Sequence, residues 1–156
     1  MTLPGPEDGR DALRLTYLWH DEVEPFGELA AAVRFEGFAG SSSGYFHSAE
    51  LLGFASELRR YPFGDAVARL AGGYPSPGEE HLVSVTARAR GRRGQLGVRV
   101  HLVTADPAPS DAQWCRKEAT VEVLTTYESL RRFASELEHL ARGSADEAWL
   151  AAELLA

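Results

Sequence analysis

The stretch that decides the fold is His81-Leu-Val-Ser-Val-Thr-Ala-Arg-Ala-Arg90, followed by Gly91-Arg-Arg-Gly94 and then Gln95-Leu-Gly-Val-Arg-Val-His-Leu-Val103. Val83, Val85, Ala87 and Ala89 alternate with Ser84, Thr86, Arg88 and Arg90. Leu96, Val98, Val100 and Leu102 then alternate with Gly97, Arg99 and His101. Successive side chains of a strand point to opposite faces, so a period of two marks half-buried strands. Gly91 and Gly94 tolerate positive φ, which makes the link between them a β-hairpin.

Toward the C-terminus, beyond a loop holding Pro107 and Pro109, residues 115–124 alternate again, with Ala119, Val121 and Val123 opposite Glu118, Thr120 and Glu122. This predicts a third antiparallel strand, whose parity puts Cys115 on the core side. At Thr125 the period changes. Leu130, Phe133, Ala134, Leu137 and Leu140 recur at helical spacing, with Thr125 and Glu128 as a capping box. Ser144 and Glu147 suggest a second box opening a short helix over 144–156. Its Trp149, Leu150, Leu154 and Leu155 need cover, from the same domain or from a second copy in a homodimer.

Toward the N-terminus, Leu13, Leu15, Tyr17 and Trp19 alternate with Arg14, Thr16, Leu18 and His20. Leu29, Ala31, Val33 and Phe35 alternate with Ala30, Ala32, Arg34 and Glu36. Two more strands follow from these patterns. Leu51, Phe54, Ala55 and Leu58 predict a helix from about Ser48 to Arg60, ended by Pro62, with His47 or Ser48 at its start and Glu50 at the positive end of its dipole. Gly40 to Gly44 reads as a connector, and residues 61–73 fit a strand or a helix. Phe-Ala-Ser-Glu-Leu occurs at 54–58 and again at 133–137. Duplication, or convergence on one packing solution, would produce it.

The expected fold is α+β: an antiparallel sheet of about five strands, two amphipathic helices packed on one face, and a short C-terminal helix. Residues 13–156 form one domain behind a flexible tail, 1–12. A chain of 156 residues can bury a core without staples, and one cysteine cannot make an internal disulfide. No apolar run reaches the roughly 18 residues of a membrane span, and residues 1–11 lack the pattern of a secretion signal. A cytoplasmic protein is expected. With 23 acidic against 16 basic residues, the net charge of −7 repels nucleic acid and anionic lipid.

Catalytic signals are scattered. His20, Asp21, Glu22 and Glu24 crowd one strand end, but neighbours on a strand diverge, so they read as a solvated turn and no metal site is expected. Gly40-Ser41-Ser42-Ser43-Gly44 has the spacing of a nucleophile elbow without the parallel sheet and later histidine motif that chemistry uses. It also lacks the lysine of a P-loop, and no cofactor is implied. A small hydrolase or transferase using His20, Asp21, His47 and the Ser41–Ser43 loop is the alternative reading. The favoured one is a non-enzymatic binding protein. On it, Arg34, Arg99, His101, Glu118 and Glu122 share the wet sheet face, where Arg14 and Thr16 also fall, and form a recognition surface. Tyr17, Trp19, Phe38 and Trp114 either border that surface or join the core. Arg88, Arg90, Arg92, Arg93 and Arg99 cluster at the hairpin tip, where they discourage edge-to-edge strand pairing or meet an acidic protein.

The layout of 13–141, carried by Gly44-Tyr45-Phe46, Leu51, Phe54, Ala55, Leu58, Phe133, Ala134 and Leu137, resembles small bacterial domains of unknown function. Some proteins of that plan are immunity partners of secreted toxins. The resemblance implies a protein partner and transfers no catalytic residue.

Overall fold

The structure, a computed structural model, describes residues 10–21, 26–73, 81–91, 93–104 and 115–154. Its elements are β1 (Ala12–His20), β2 (Phe26–Phe35), β3 (Phe38–His47), α1 (Ser48–Leu58), β4 (Val67–Gly73), β5 (His81–Ala89), β6 (Gln95–Val103), β7 (Glu118–Thr126), α2 (Tyr127–Ala141) and β8 (Glu147–Ala151). The fold is α+β, but the antiparallel sheet has eight strands rather than about five, in the order β7-β6-β5-β4-β3-β2-β1-β8.

The hairpin forms as its alternation demands, with Val83↔Leu102 and Val85↔Val100 in register and Gly91 and Gly94 at φ +77° and +79°. Val98, Val100, Val121 and Val123 are buried while Arg99 and Glu118 are exposed. The buried residues of both helices join those of the strands in one core cluster.

Three expectations fail for identifiable reasons. Residues 40–44 are not a connector but the middle of β3, paired with Val33 to Leu29. That strand escapes a hydrophobic reading because it turns Gly40 and Ser42 to the core. The sheet curls so far that Ser42 Oγ donates to the Val103 carbonyl at 2.5 Å, and a Cβ on Gly40 would stand 2.9 Å from that of Ala119. The segment after Ser144 is strand β8 rather than a helix, because it completes the edge of β1 through Leu13↔Leu150 and Leu15↔Ala148. Of the residues expected to need cover, Leu150 is buried in this chain's own core, Trp149 is half-buried, Leu154 is 62 % exposed and Leu155 lies outside the described residues. Cys115 is exposed, since β7 begins only at Glu118 and its parity does not reach back. Smaller differences are that β1 starts at Ala12, that 67–73 is strand β4, and that α2 is capped by Thr126, whose side chain accepts from Ser129 N–H, rather than by Thr125. His47 caps α1, its N–H donating to Glu50 at 3.0 Å.

The Phe-Ala-Ser-Glu-Leu repeat is the visible part of a larger one. Strand by strand, β1-β2-β3-α1-β4 is repeated by β5-β6-β7-α2-β8. One offset carries β3 onto β7 and sets Leu51, Phe54, Ala55 and Leu58 on Leu130, Phe133, Ala134 and Leu137, all buried. The register agrees too: Ala31↔Ser42 answers Val100↔Val121, and Val33↔Gly40 answers Leu102↔Ala119.

A residue that touches its own equivalent lies on a two-fold axis. Gly40 and Ala119 are one such pair. Arg59 and Glu138 are another, joined by an ion pair of 2.9 Å where α1 meets α2. Within each half one strand junction is thin, and the two are alike, whereas the halves themselves join through the longer pairings of β4 with β5 and of β8 with β1. β3 and β4 share a single paired position, Tyr45↔Gly73, while β7 and β8 meet where Glu153 N–H donates to the Leu124 carbonyl at 2.8 Å.

Candidate functional site

On β4 to β7 the even-spaced polar residues that face away from the core form cross-strand rows. One row runs Arg69, Thr86, Arg99, Glu122, and a second runs Ala71, Ser84, His101, Thr120. Adjacent strands lie about 4.8 Å apart, so Arg69 and Arg99 stand about 10 Å apart with Thr86 between them. Both are exposed.

The acids of this face are already engaged. His101 Nε2 lies 2.6 Å from Glu118 Oε1, and Arg116 Nε lies 3.8 Å from Glu118 Oε2. Glu122 holds Arg88 and Arg90, each at 3.6 Å. Gly97 permits that arrangement. A Cβ there would lie 2.6 Å from Glu122 Oε1 and 2.8 Å from Arg90 Cγ, so only glycine lets both side chains cross over β6. Glu122 Oε1 is shielded from solvent and makes no hydrogen bond.

Of the five residues expected to form the surface, four come together: Arg99, His101, Glu118 and Glu122. Arg34 does not. It is exposed on β2, with β3, β4 and β5 between it and β6. Arg69 joins the site unannounced, since the run Val67-Ala-Arg-Leu-Ala-Gly-Gly73 is too short and too small in its side chains to declare itself a strand. Arg14 leaves the wet face: it is 7 % exposed, with the Trp149 ring of β8 5.2 Å from its guanidinium carbon.

The catalytic alternative has little geometry behind it. Ser41, Ser42 and Ser43 alternate across a strand, and Ser42 Oγ is spent on the Val103 carbonyl. His20 and His47 are exposed on β1 and β3, near the same end of β2 through His20↔Gly27 and Phe26↔His47, with their rings against Tyr17 and Phe26. Among the described residues no three of His, Cys, Asp and Glu are placed to hold a metal ion. A hollow of about 250 Å³ between α2 and β8 is lined by Arg10, Ser129, Arg132, Glu136 and Trp149. Its Ser129 hydroxyl donates to Glu153 at 2.5 Å, with no histidine in the lining to act as base.

A second cluster lies on the outward face of the first half. A bulge between Tyr17 and Trp19 moves Trp19 out of the alternation that β1 begins with and sets it opposite Glu28, which is itself opposite Tyr45. Trp19 meets Phe26 and Tyr45 edge-on at 5.9 and 6.0 Å, and Phe26 stacks on Tyr45 at 5.5 Å. Burial, and then the hydrogen bond and negative charge of Glu28, push the Tyr45 hydroxyl above its ordinary pKa. Phe38 is exposed at the far end of β3, and Trp114 lies outside the described residues.

Compared with protein-family models, curated proteins and solved structures, the chain gives no match.

Proposed function

We propose that this is a non-enzymatic binding protein that holds an acidic protein partner against the outward face of β4 to β7. The observation that carries the reading is the pair Arg69 and Arg99, aligned in one row and without an ion pair among the described residues, beside carboxylates that already have partners. Arg69, Arg88, Arg90 and Arg99 outnumber Glu118 and Glu122 on this face of a chain whose net charge is −7. Such a local reversal of sign steers an acidic surface to one place and repels it elsewhere. An outward polar sheet face suits contact with a folded macromolecule better than enclosure of a small substrate. An immunity-type protein that blocks a toxin is one form this activity takes. The commitment of Ser42 Oγ to a backbone carbonyl weighs against the hydrolase reading.

The test is affinity purification from the native cell with the wild-type chain and with the Arg69→Glu/Arg99→Glu double variant. A partner enriched by the wild type and recovered at least tenfold less by the variant supports the reading. Equal recovery by both forms removes this face from consideration.

A further inference from the structure

We propose that the aromatic patch of Trp19, Phe26 and Tyr45 around Glu28 is a second docking site, one that takes a cationic segment of a partner protein. In it, an arginine or lysine side chain lies on the Trp19 ring and reaches the Glu28 carboxylate.

The internal repeat serves as a control. The row Trp19, Glu28, Tyr45 in the first half is answered in register by Arg88, Gly97, Leu124 in the second, and the pair Phe26↔His47 is answered by Gln95↔Thr126. The second half builds the same strands in the same order with no aromatic residue at any of these places. The fold therefore does not require the aromatics, and burial does not explain Trp19, which is 45 % exposed beside the half-buried Phe26 and Tyr45. Tryptophan and tyrosine are among the residue types that dominate binding hot spots.

The occupant follows from charge. Around the patch, residues 17–21, 26–28, 45–50 and 72–73 contain Asp21, Glu28 and Glu50 and no lysine or arginine. His20 and His47 are further titratable side chains at this end, with His47 against Phe26 and His20 against Tyr17, and the turn after α2 that comes up to His20 at Gly143 adds Asp146 and Arg142, the latter 4.0 Å from Glu138. The three rings touch one another, so they leave no cage for a small quaternary ammonium. They offer an open platform instead, and a guanidinium or ammonium group is attracted to the face of an indole, most strongly where a carboxylate stands beside it.

The probe is a hexapeptide of alternating arginine and glycine, titrated into the full-length ¹⁵N-labelled protein. Its citrulline counterpart, equal in shape and without charge, is the control. The expected result is saturable shifts of the Trp19 indole and of the amides of Gly27 and Tyr45, absent with the citrulline peptide. Trp19→Ala leaves the net charge untouched, so a roughly tenfold loss of affinity in it separates ring contact from bulk attraction to an acidic protein. Glu28→Gln, nearly isosteric, is expected to weaken binding several-fold and decides the matter should Trp19→Ala not fold. Arg69→Glu/Arg99→Glu binds no more weakly than the wild type. Shifts spread over other acidic regions, or an affinity unchanged by both Trp19→Ala and Glu28→Gln, would overturn the proposal.

Discussion

Where the first half of the molecule sets Trp19, Glu28 and Tyr45 side by side, the second sets Arg88, Gly97 and Leu124, on strands of the same order and register. On the inward faces of the two helices the halves agree: Leu51 with Leu130, Phe54 with Phe133, Ala55 with Ala134, Leu58 with Leu137. The interior is constrained by volume, because a packed core notices a single methylene. The outward rows carry no such constraint, and there the two halves have gone to opposite chemistries, aromatic and acidic against basic. Likeness on the helices and contrast on the outward rows are the grounds on which the two surfaces are proposed as binding sites.

The comparison can be broken most forcefully in the core. Phe54→Ala and Phe133→Ala each remove a buried ring at equivalent positions and are expected to cost about 3–5 kcal/mol apiece in urea unfolding. Costs that agree within about 1 kcal/mol, with one unfolding transition, would show both halves in a single cooperative unit. Two separate transitions would show that the halves fold independently. At the axis, Gly40→Ala crowds Ala119 and should cost about 1–3 kcal/mol. Adding Ala119→Gly hands the methyl group across the axis, so most of that loss should return in a double-mutant cycle. Without recovery, the two positions are not equivalent. Arg59→Glu sets like charges together across the helix pair and is expected to cost about 1 kcal/mol, largely recovered when Glu138→Arg is added.

The smallest effect concerns the contact between the start of α2 and the segment that follows β8. Hydrogen bonds from Ser129 Oγ and Thr126 Oγ1 at the start of α2 hold the Glu153 carboxyl below its usual range. Because its pKa is lower folded than unfolded, its contribution is full above the ordinary carboxylate value and is lost as pH falls through the lowered one. Glu153→Gln should therefore be less stable than the wild type at neutral pH, and the difference in thermal midpoint should close in acid. A difference that persists at the lowest pH would assign the loss to geometry rather than charge.

Much of this was legible in the sequence, and the gaps have physical causes. β1, β2, β5, β6, β7 and both long helices declare themselves by periodicity, since each has one face against the core. β3 hides because close approach of β6 and β7 replaces apolar side chains by Gly40 and Ser42. β8 hides because Ala148 and Leu150 fit either period, and only pairing with distant β1 decides between them. For the sites, parity alone assembles Arg99, His101, Glu118 and Glu122. Arg69 is lost with its unread strand, and Trp19 stays undecided between core and surface, because a bulge leaves no mark in a run of alternating residues.

The contact between Arg59 and Glu138 has a consequence for how such a protein can be made. In an assembly of two separate identical chains, a position on the symmetry axis must face itself, so an arginine there meets an arginine and a glutamate meets a glutamate. A tandem chain is released from that rule: one half can present the cation and the other the anion, so that opposite charges meet where two identical chains would repel.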